Sequence, residues 1–241
     1  MENTVLKVVK VERRKRLYEQ IAEQIERLVR EQGLPAGSKL PSERELAESL
    51  GVGRPSLREA MIALEMIGLI EVRVGEGTFV AEQPKSKKSF SFINGYDLGP
   101  GLLDQFEARR VIEIACVAKA SQRASQEDIE ELVNCLQEIK NAIEKLQNPN
   151  DIFRRFHVSL ARISGNLIYL KMVEELWDLR EQPMWDMLRK KVESLRSWEL
   201  GLETRRRLID CLRTRDEKGA RREIENHFNR VEHLYFGEEA N

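Results

Sequence analysis

The sequence predicts a mainly α protein with two domains: an N-terminal helix-turn-helix that carries a small β-hairpin, and a C-terminal all-α bundle of six or seven helices. Three observations lead to this fold class. Residues 42–80 contain two short amphipathic segments around a glycine turn, followed by a strand of alternating polarity. Residues 99–238 carry helical periodicity with no obvious strand pattern. Charged residues make up 34% of the chain and aromatic residues 6%, a balance typical of helix-rich soluble domains.

The composition excludes several classes of protein. No run of 18 apolar residues is present, so we expect no membrane span. The N-terminus lacks a basic region followed by an apolar stretch, so no secretory signal is expected. Cys116, Cys135 and Cys211 lack metal or redox spacing and are predicted to be reduced thiols. These features predict a cytoplasmic protein.

We divide the chain into four segments. Residues 1–14 are predicted to be a mobile basic arm, residues 15–83 the domain with the hairpin, residues 84–98 a polar linker, and residues 99–241 the helical domain. The cluster at 13–16 is densely positive, and it fits a phosphate contact and a solvated terminus equally well. In the helical domain, the patterns predict helices at Leu102–Ala124, Gln126–Ile143, Asp151–Ile163, Leu167–Arg180, Met184–Leu195, Leu202–Thr214 and Glu217–Phe236.

Local signals predict each element of the first domain. Leu17 to Gln32 is an amphipathic helix. Ser42 followed by Glu45 forms a capping box that starts a second helix. The glycines at 51 and 53 break that helix, and Pro55 is tolerated in the first turn of the third.

The last part of this domain predicts a hairpin. Residues 70, 72 and 74 are apolar and alternate with two charged residues, glycines form the tip, and Phe79 is expected to return to the core side. Two helices around a tight turn followed by a hairpin make a winged helix-turn-helix, which places one helix in a DNA major groove. The competing interpretation is a small helical domain whose arginines only solvate its surface.

Two segments of this domain closely resemble the DNA-binding domain of the GntR family of bacterial transcription regulators. They are Leu34–Ala47 and Arg54–Ala60. The resemblance implies a homodimer that binds a near-palindromic double-stranded operator, with two recognition helices about one DNA turn apart, and we expect a repressor. The net charge is −1, so DNA affinity must depend on where the cations lie.

Six residues are therefore predicted to contact DNA. We expect Arg54 and Arg58 to read base edges, preferably guanine. Arg44 and Ser56, together with the hairpin tip, are expected to fix position through phosphates or the minor groove. The tip residues are Gly75 and Gly77.

The helical domain resembles the FCD effector-binding domain of the FadR subgroup of that family. The matching segments are Phe106–Glu113, Phe156–His157, Ser164–Asn166, Arg213–Asp216 and Ala220–His227. Many members of the subgroup hold a divalent metal with one Asp and three His. The resemblance implies that the metal carries a small carboxylate, which an Arg of the first helix of this domain helps to bind.

This chain departs from that pattern at two of the four ligands. Phe153 stands at the Asp position and Arg205 at the middle His position, while His157 and His227 are kept. A metal at the two histidines is disfavoured, because two neutral ligands beside a cation make a weak site. We therefore predict that no cofactor is required. Arg205 is expected to supply the positive charge and, with Arg109, to hold a small anionic metabolite directly. Phe153 is expected to form an apolar wall of this effector site, and His157 and His227 to be its hydrogen-bonding neighbours. A vestigial pocket is the alternative.

The sequence shows no pairing of nucleophile and base and no complete metal set, so we predict that the protein is not an enzyme. The favoured function is a ligand-responsive bacterial transcription regulator whose DNA affinity is modulated by the metabolite. The alternative is an effector-independent DNA-binding protein whose helical domain only dimerises.

Overall fold

The structure, a computed structural model, describes residues 15–73, 75–82 and 99–237, and it is mainly α as predicted. The predicted basic arm at 1–14 and the linker at 84–98 lie outside the described residues. The first domain contains α1 (Leu17–Glu31), α2 (Glu43–Leu50), α3 (Arg54–Met66), β1 (Ile70–Arg73) and β2 (Gly77–Val80). The second contains α4 (Leu102–Arg123), α5 (Gln126–Glu144), α6 (Asn150–Ile163), α7 (Leu167–Asp178), a 3-10 turn (Leu179–Glu181), α8 (Pro183–Val192), α9 (Leu195–Arg213) and α10 (Glu217–Phe236).

The helix boundaries of the first domain follow the predicted signals. The Ser42 hydroxyl accepts from the Glu45 amide, and the Glu45 carboxylate accepts from the Ser42 amide at 2.8 Å, so the capping box is confirmed. Gly51 ends α2 with φ of 64°, a left-handed conformation that a side chain would strain. Pro55 lies in the first turn of α3, where its missing N–H has no cost. The end of α2 and the start of α3, the predicted recognition helix, are therefore set by the local sequence.

The hairpin corrects one expectation, because Phe79 does not return to the core side. The strands β1 and β2 are antiparallel, with Ile70 opposite Val80 and Glu71 opposite Phe79. Directly opposed residues share a face of the sheet, so Phe79 lies on the charged face and Val80 is the buried residue. The Arg73 guanidinium covers the Phe79 ring at 4.5 Å from its centroid.

Two helices of the second domain begin at side-chain caps. The Ser125 hydroxyl accepts from the Asp128 amide at the start of α5, and Asp216 accepts from the Gly219 amide at the start of α10. The predicted start of α9 at Leu202 was wrong, since the helix begins at Leu195. Ser194 caps it by accepting from the Ser197 amide at 3.3 Å.

One apolar cluster runs through both domains. It extends from Tyr18 in α1 through Leu64 in α3 to Phe106 in α4 and Phe236 in α10. The recognition helix therefore packs on the helical domain, with α4, α8 and α10 as its neighbours. Among the helices of the described ranges, none is long and apolar enough to cross a membrane.

Candidate functional site

A cavity of about 60 Å³ lies among the helices of the second domain, and we call it the arginine cavity. Four of the five predicted effector residues line it. They are Arg109, Phe153, Arg205 and His227. The fifth, His157, lies behind Arg205 and is buried. The structure thus brings together side chains from α4, α6, α9 and α10 at the point that the sequence predicted.

Glu113, a residue without a predicted role, is the anionic centre of this cluster. Its Oε1 lies 2.8 Å from Arg109 Nε, and its Oε2 lies 2.5 Å from His157 Nδ1. The Trp177 indole donates to Oε1 at 3.1 Å. Burial alone would raise the pKa of Glu113, but Arg109 and His157 hold it well below its ordinary value. The available signal was spacing, since Glu113 follows Arg109 by four residues, about one helical turn.

Arg205 is a buried cation with unfilled hydrogen-bonding capacity. It is 4% exposed, its Nη2 lies 2.8 Å from His157 Nε2, and its Nη1 donates to the Gly201 carbonyl at 2.9 Å. Its guanidinium covers the Phe153 ring at 3.9 Å from the centroid. Its Nε is buried and has no hydrogen-bond partner. Burial lowers the pKa of Arg205 to about 9, so the side chain stays charged at neutral pH.

Gly201 explains how Arg205 fits inside α9. A Cβ at position 201 would lie 3.1 Å from Arg205 Nη1 and 3.6 Å from the Phe153 ring. Glycine in a helix interior costs about 1 kcal/mol relative to alanine, so its presence calls for a packing reason. The close approach of the guanidinium to the helix backbone supplies that reason.

The two histidines are neutral at physiological pH. Burial lowers the pKa of His157 to about 4, although Glu113 opposes the shift. Burial, and then the charge of Arg205, lowers the pKa of His227 well below its ordinary value. As neutral rings they add no charge to the cavity, and His157 is hydrogen-bonded to Arg205.

Three charged or polar residues of the cavity that interact with one another had no predicted role: Arg180, Glu193 and Tyr235. Arg180 lies 3.9 Å from Glu193, and it donates to the Tyr235 hydroxyl at 3.3 Å. Tyr235 in turn donates to Glu193. Trp177 and Trp198 also line the cavity.

The charges of the cavity do not cancel. The cations are Arg109, Arg180 and Arg205, while the anions are Glu113 and Glu193. Three positive and two negative charges leave an excess of one positive charge. An isolated buried charge is costly, so a bound monoanion would lower the free energy of this cluster.

The residues at the family's metal position do not fit a divalent metal. His157 Nε2 is bonded to Arg205 Nη2, and the guanidinium would repel a dication there. Phe153 offers a ring where a carboxylate would be needed. Within the described ranges, no group of three or more His, Cys, Asp or Glu side chains is placed to hold a metal ion.

The predicted DNA-binding residues lie in three different environments in the structure. Arg44 is exposed at the start of α2, and Gly75 and Gly77 form the exposed hairpin tip with positive φ. Ser56 and Arg54 are half-buried in the first turn of α3. The exposed group is open to solvent in the arrangement observed.

Arg58 lies in a different environment, between the two domains. Its side chain is 11% exposed, and its Nη2 lies 3.2 Å from the Glu43 carboxylate. Its Nη1 donates to the Gly237 carbonyl at 2.6 Å, just beyond α10. In this arrangement the predicted base-reading arginine is bonded to the helical domain.

Comparison with known proteins supports both domains. Residues 17–80 match the model for bacterial regulatory proteins of the gntR family, and residues 104–230 match the FCD domain. The chain is 32% identical over 231 residues to the HTH-type transcriptional repressor NanR of Enterobacter sp. (strain 638), covering 90% of this chain and 85% of that relative. It is 30% identical over 196 residues to the Uxu operon regulator of Haemophilus influenzae, covering 81% and 73%.

A solved structure shows the same fold. The chain aligns with E. coli McbR/YncC with a TM-score of 0.50 and 22% identity, covering 92% of this chain and 98% of that one. The helix-turn-helix with its hairpin, the seven-helix domain behind it and these similarities together identify the chain as a member of the gntR family of bacterial transcription regulators, with an FCD domain at residues 104–230.

Proposed function

We propose that this protein is a ligand-responsive transcription regulator of the FadR subgroup, a cytoplasmic homodimer and not an enzyme. Two recognition helices would bind a near-palindromic operator, and a small anionic metabolite in the arginine cavity would modulate their affinity. Its relatives include a transcriptional repressor and an operon regulator, which supports repression as the outcome. The metabolite must bind one state of the protein better than the other, since equal affinity shifts no equilibrium.

The excess positive charge of the arginine cavity is the observation that carries the ligand proposal. Arg205 Nε is buried and unpaired beside Phe153 and His227, and it can donate to an anion without giving up another bond. A planar carboxylate matches the fork of a guanidinium. The ligand class is therefore a small organic acid bound without a metal.

Two measurements test the proposal. Selection from random DNA gives the preferred duplex, and fluorescence anisotropy then measures its Kd with and without a panel of carboxylates, sugar acids and acyl-CoAs. Thermal shifts on the same panel report binding directly, because a ligand at 100 times its Kd stabilises the folded state by about 2.7 kcal/mol. We expect at least one acid to raise the Tm and to change operator affinity. Sequence-independent DNA binding would contradict the regulator proposal.

One observation favours the alternative of an effector-independent protein. The cavity is small at about 60 Å³, and Glu113 already pairs with both Arg109 and His157. Such a network could serve only to hold α4 against α6 in a dimerising domain. A panel without any thermal shift, combined with sequence-specific DNA binding, would select this alternative.

A further inference from the structure

The recognition helix α3 is tied to the helical domain at three points. Arg58 donates to a carbonyl at the end of α10, and Glu59 accepts from the Leu103 amide at 2.7 Å. Glu65, nearly two turns further along α3, pairs with Lys191 of α8. The three ties involve successive parts of a single helix. Together they fix α3 against the other domain.

The first tie uses the hydrogen-bond donors that a base edge would need. Arg58 Nη1 donates to the Gly237 carbonyl at 2.6 Å and lies 3.5 Å from the Tyr235 carbonyl, while Nη2 pairs with Glu43. Arginine reads guanine through a bidentate pair of such donors. The same guanidinium cannot serve both the Gly237 carbonyl and a guanine edge with these groups.

The second tie replaces a missing helix cap. The residue before α4 is Gly101, which has no side chain to offer to the free amides of the first turn. Glu59 of the other domain fills this role, with Oε1 on the Leu103 amide. Glu59 is 4% exposed, so domain separation would expose the carboxylate and leave α4 uncapped.

We infer that the end of α10 and the operator compete for Arg58, so that the observed arrangement is a closed, weakly DNA-binding state of the regulator. The inference rests on the proposed function, since it takes operator binding by Arg58 as given. A protein that binds only from its open fraction has an apparent affinity reduced by that fraction. Loosening the ties should therefore strengthen operator binding.

We call the three ties together the latch. Tyr235 connects the latch to the arginine cavity. Its hydroxyl contacts Arg180 and Glu193 in the cavity, and its backbone carbonyl faces Arg58. A ligand that binds Arg180 changes the hydrogen bonds of the Tyr235 hydroxyl. The backbone carbonyl of Tyr235 faces Arg58, so the change can reach the latch. The last turn of α10 is thus the shared element through which the cavity can bias the latch.

The substitution Gly237→Ala tests the first tie without changing a residue of α3 or a side chain that lines the cavity. A Cβ at position 237 would lie 2.2 Å from the His233 carbonyl oxygen and 2.7 Å from His233 Nδ1. The backbone at this position must shift, and the carbonyl that accepts from Arg58 moves with it. We expect operator affinity to rise about tenfold, the equivalent of one hydrogen bond to a charged donor.

The substitution Lys191→Ala tests the third tie, and the neighbouring lysine supplies a matched control. Lys191 pairs across the domains with Glu65, whereas Lys190 pairs with Asp186 of its own helix at 2.6 Å. Both changes remove one positive charge, which by itself weakens DNA binding. We expect Lys191→Ala nevertheless to gain about two- to fivefold in affinity, and Lys190→Ala to gain none.

The experiment measures the Kd of full-length wild type and the three variants for the selected duplex, by fluorescence anisotropy at one salt concentration. Tighter binding by Gly237→Ala and Lys191→Ala, with no gain for Lys190→Ala, is the expected result. Equal or weaker binding by the first two overturns the latch. If Gly237→Ala does not fold, the comparison of the two lysine variants decides. If the wild type selects no duplex, the proposed function itself is contradicted. If the wild type binds its selected duplex as tightly as Gly237→Ala and Lys191→Ala do, only the latch is contradicted.

Discussion

Arg58 and Arg205 both donate to a backbone carbonyl, yet their surroundings differ. Arg58 lies between the domains, and its guanidinium has an anionic partner in Glu43 and a carbonyl partner in Gly237. Arg205 lies inside one domain against an aromatic ring and a neutral histidine, with its Nε unpaired. The first arginine must exchange partners to bind DNA. The second can gain an anionic partner without losing one, so we assign switching to the interface and sensing to the cavity.

The largest expected effect is a loss of stability when the negative charge of Glu113, the anionic centre of the cavity, is removed. Glu113→Gln removes the charge that lies beside both Arg109 and His157, and it removes the nearby anion that stabilises the charge of the buried Arg205. We expect the free energy of unfolding to fall by about 3–5 kcal/mol. Chemical denaturation monitored by circular dichroism measures the loss.

The matched control for that change is Glu138→Gln. Glu138 pairs with Arg155, but the two side chains are 49% and 50% exposed. Exposed pairs contribute less than about 1 kcal/mol, so little stability should be lost. Similar losses in the two variants would mean that burial does not distinguish the cavity from the surface.

A second prediction separates base reading from phosphate contact in the first domain. In the Gly237→Ala background, where the contact between Arg58 and the end of α10 is already weakened, Arg58→Ala should cost about 1–3 kcal/mol on the selected duplex and little on random DNA. Arg44→Ala, at the exposed start of α2, should weaken both duplexes about equally, because a phosphate carries no sequence information. Anisotropy titrations with the two duplexes provide the comparison, and an equal loss on both for Arg58→Ala would rule out base reading by that residue.

A third prediction concerns pH and the interface. Burial raises the pKa of Glu59 to about 7 from an ordinary value of 4.5. The folded protein therefore binds this proton more tightly than the unfolded chain. The stability that Glu59 contributes is present below pH 4.5 and is lost as pH rises through about 7.

The substitution Glu59→Gln isolates that effect, because the amide does not titrate in this range. Relative to the variant, the wild type should lose about 2 kcal/mol of unfolding free energy between pH 4.5 and pH 7.5. Denaturation curves at several pH values measure it. Parallel pH profiles of the two proteins would contradict the role given to Glu59.

The sequence predicted those features that depend on neighbouring residues. The capping box at Ser42 and the turn at Gly51 are both confirmed. The predicted side of Phe79 was wrong because the register of its strand depends on pairing with β1. The local alternation of polarity does not fix that register. The start of α9 was missed because Gly201 interrupts the apolar pattern. A glycine occurs at this position because the Arg205 guanidinium lies close to the helix backbone.

The cavity was predicted only where the family resemblance marked its positions. Glu113, Arg180 and Tyr235 come from three separate helical segments, and nothing in their local sequence indicates that they meet. The contact of Arg58 with Gly237 joins residues 179 positions apart and depends on the packing of two domains. Such contacts are properties of the tertiary structure, so periodicity and spacing do not reveal them.

Calorimetric titration after treatment with EDTA tests most directly whether the arginine cavity binds an anion without a metal. The acid that gives the largest thermal shift is titrated into wild type, Arg205→Gln and Arg206→Gln. Arg206 is the adjacent exposed arginine, so its variant matches the loss of charge without altering the cavity. We predict that EDTA-treated wild type and Arg206→Gln bind the acid with similar Kd, and that Arg205→Gln binds it at least about tenfold more weakly. Binding that requires added metal, or that survives unchanged in Arg205→Gln, would contradict this mechanism.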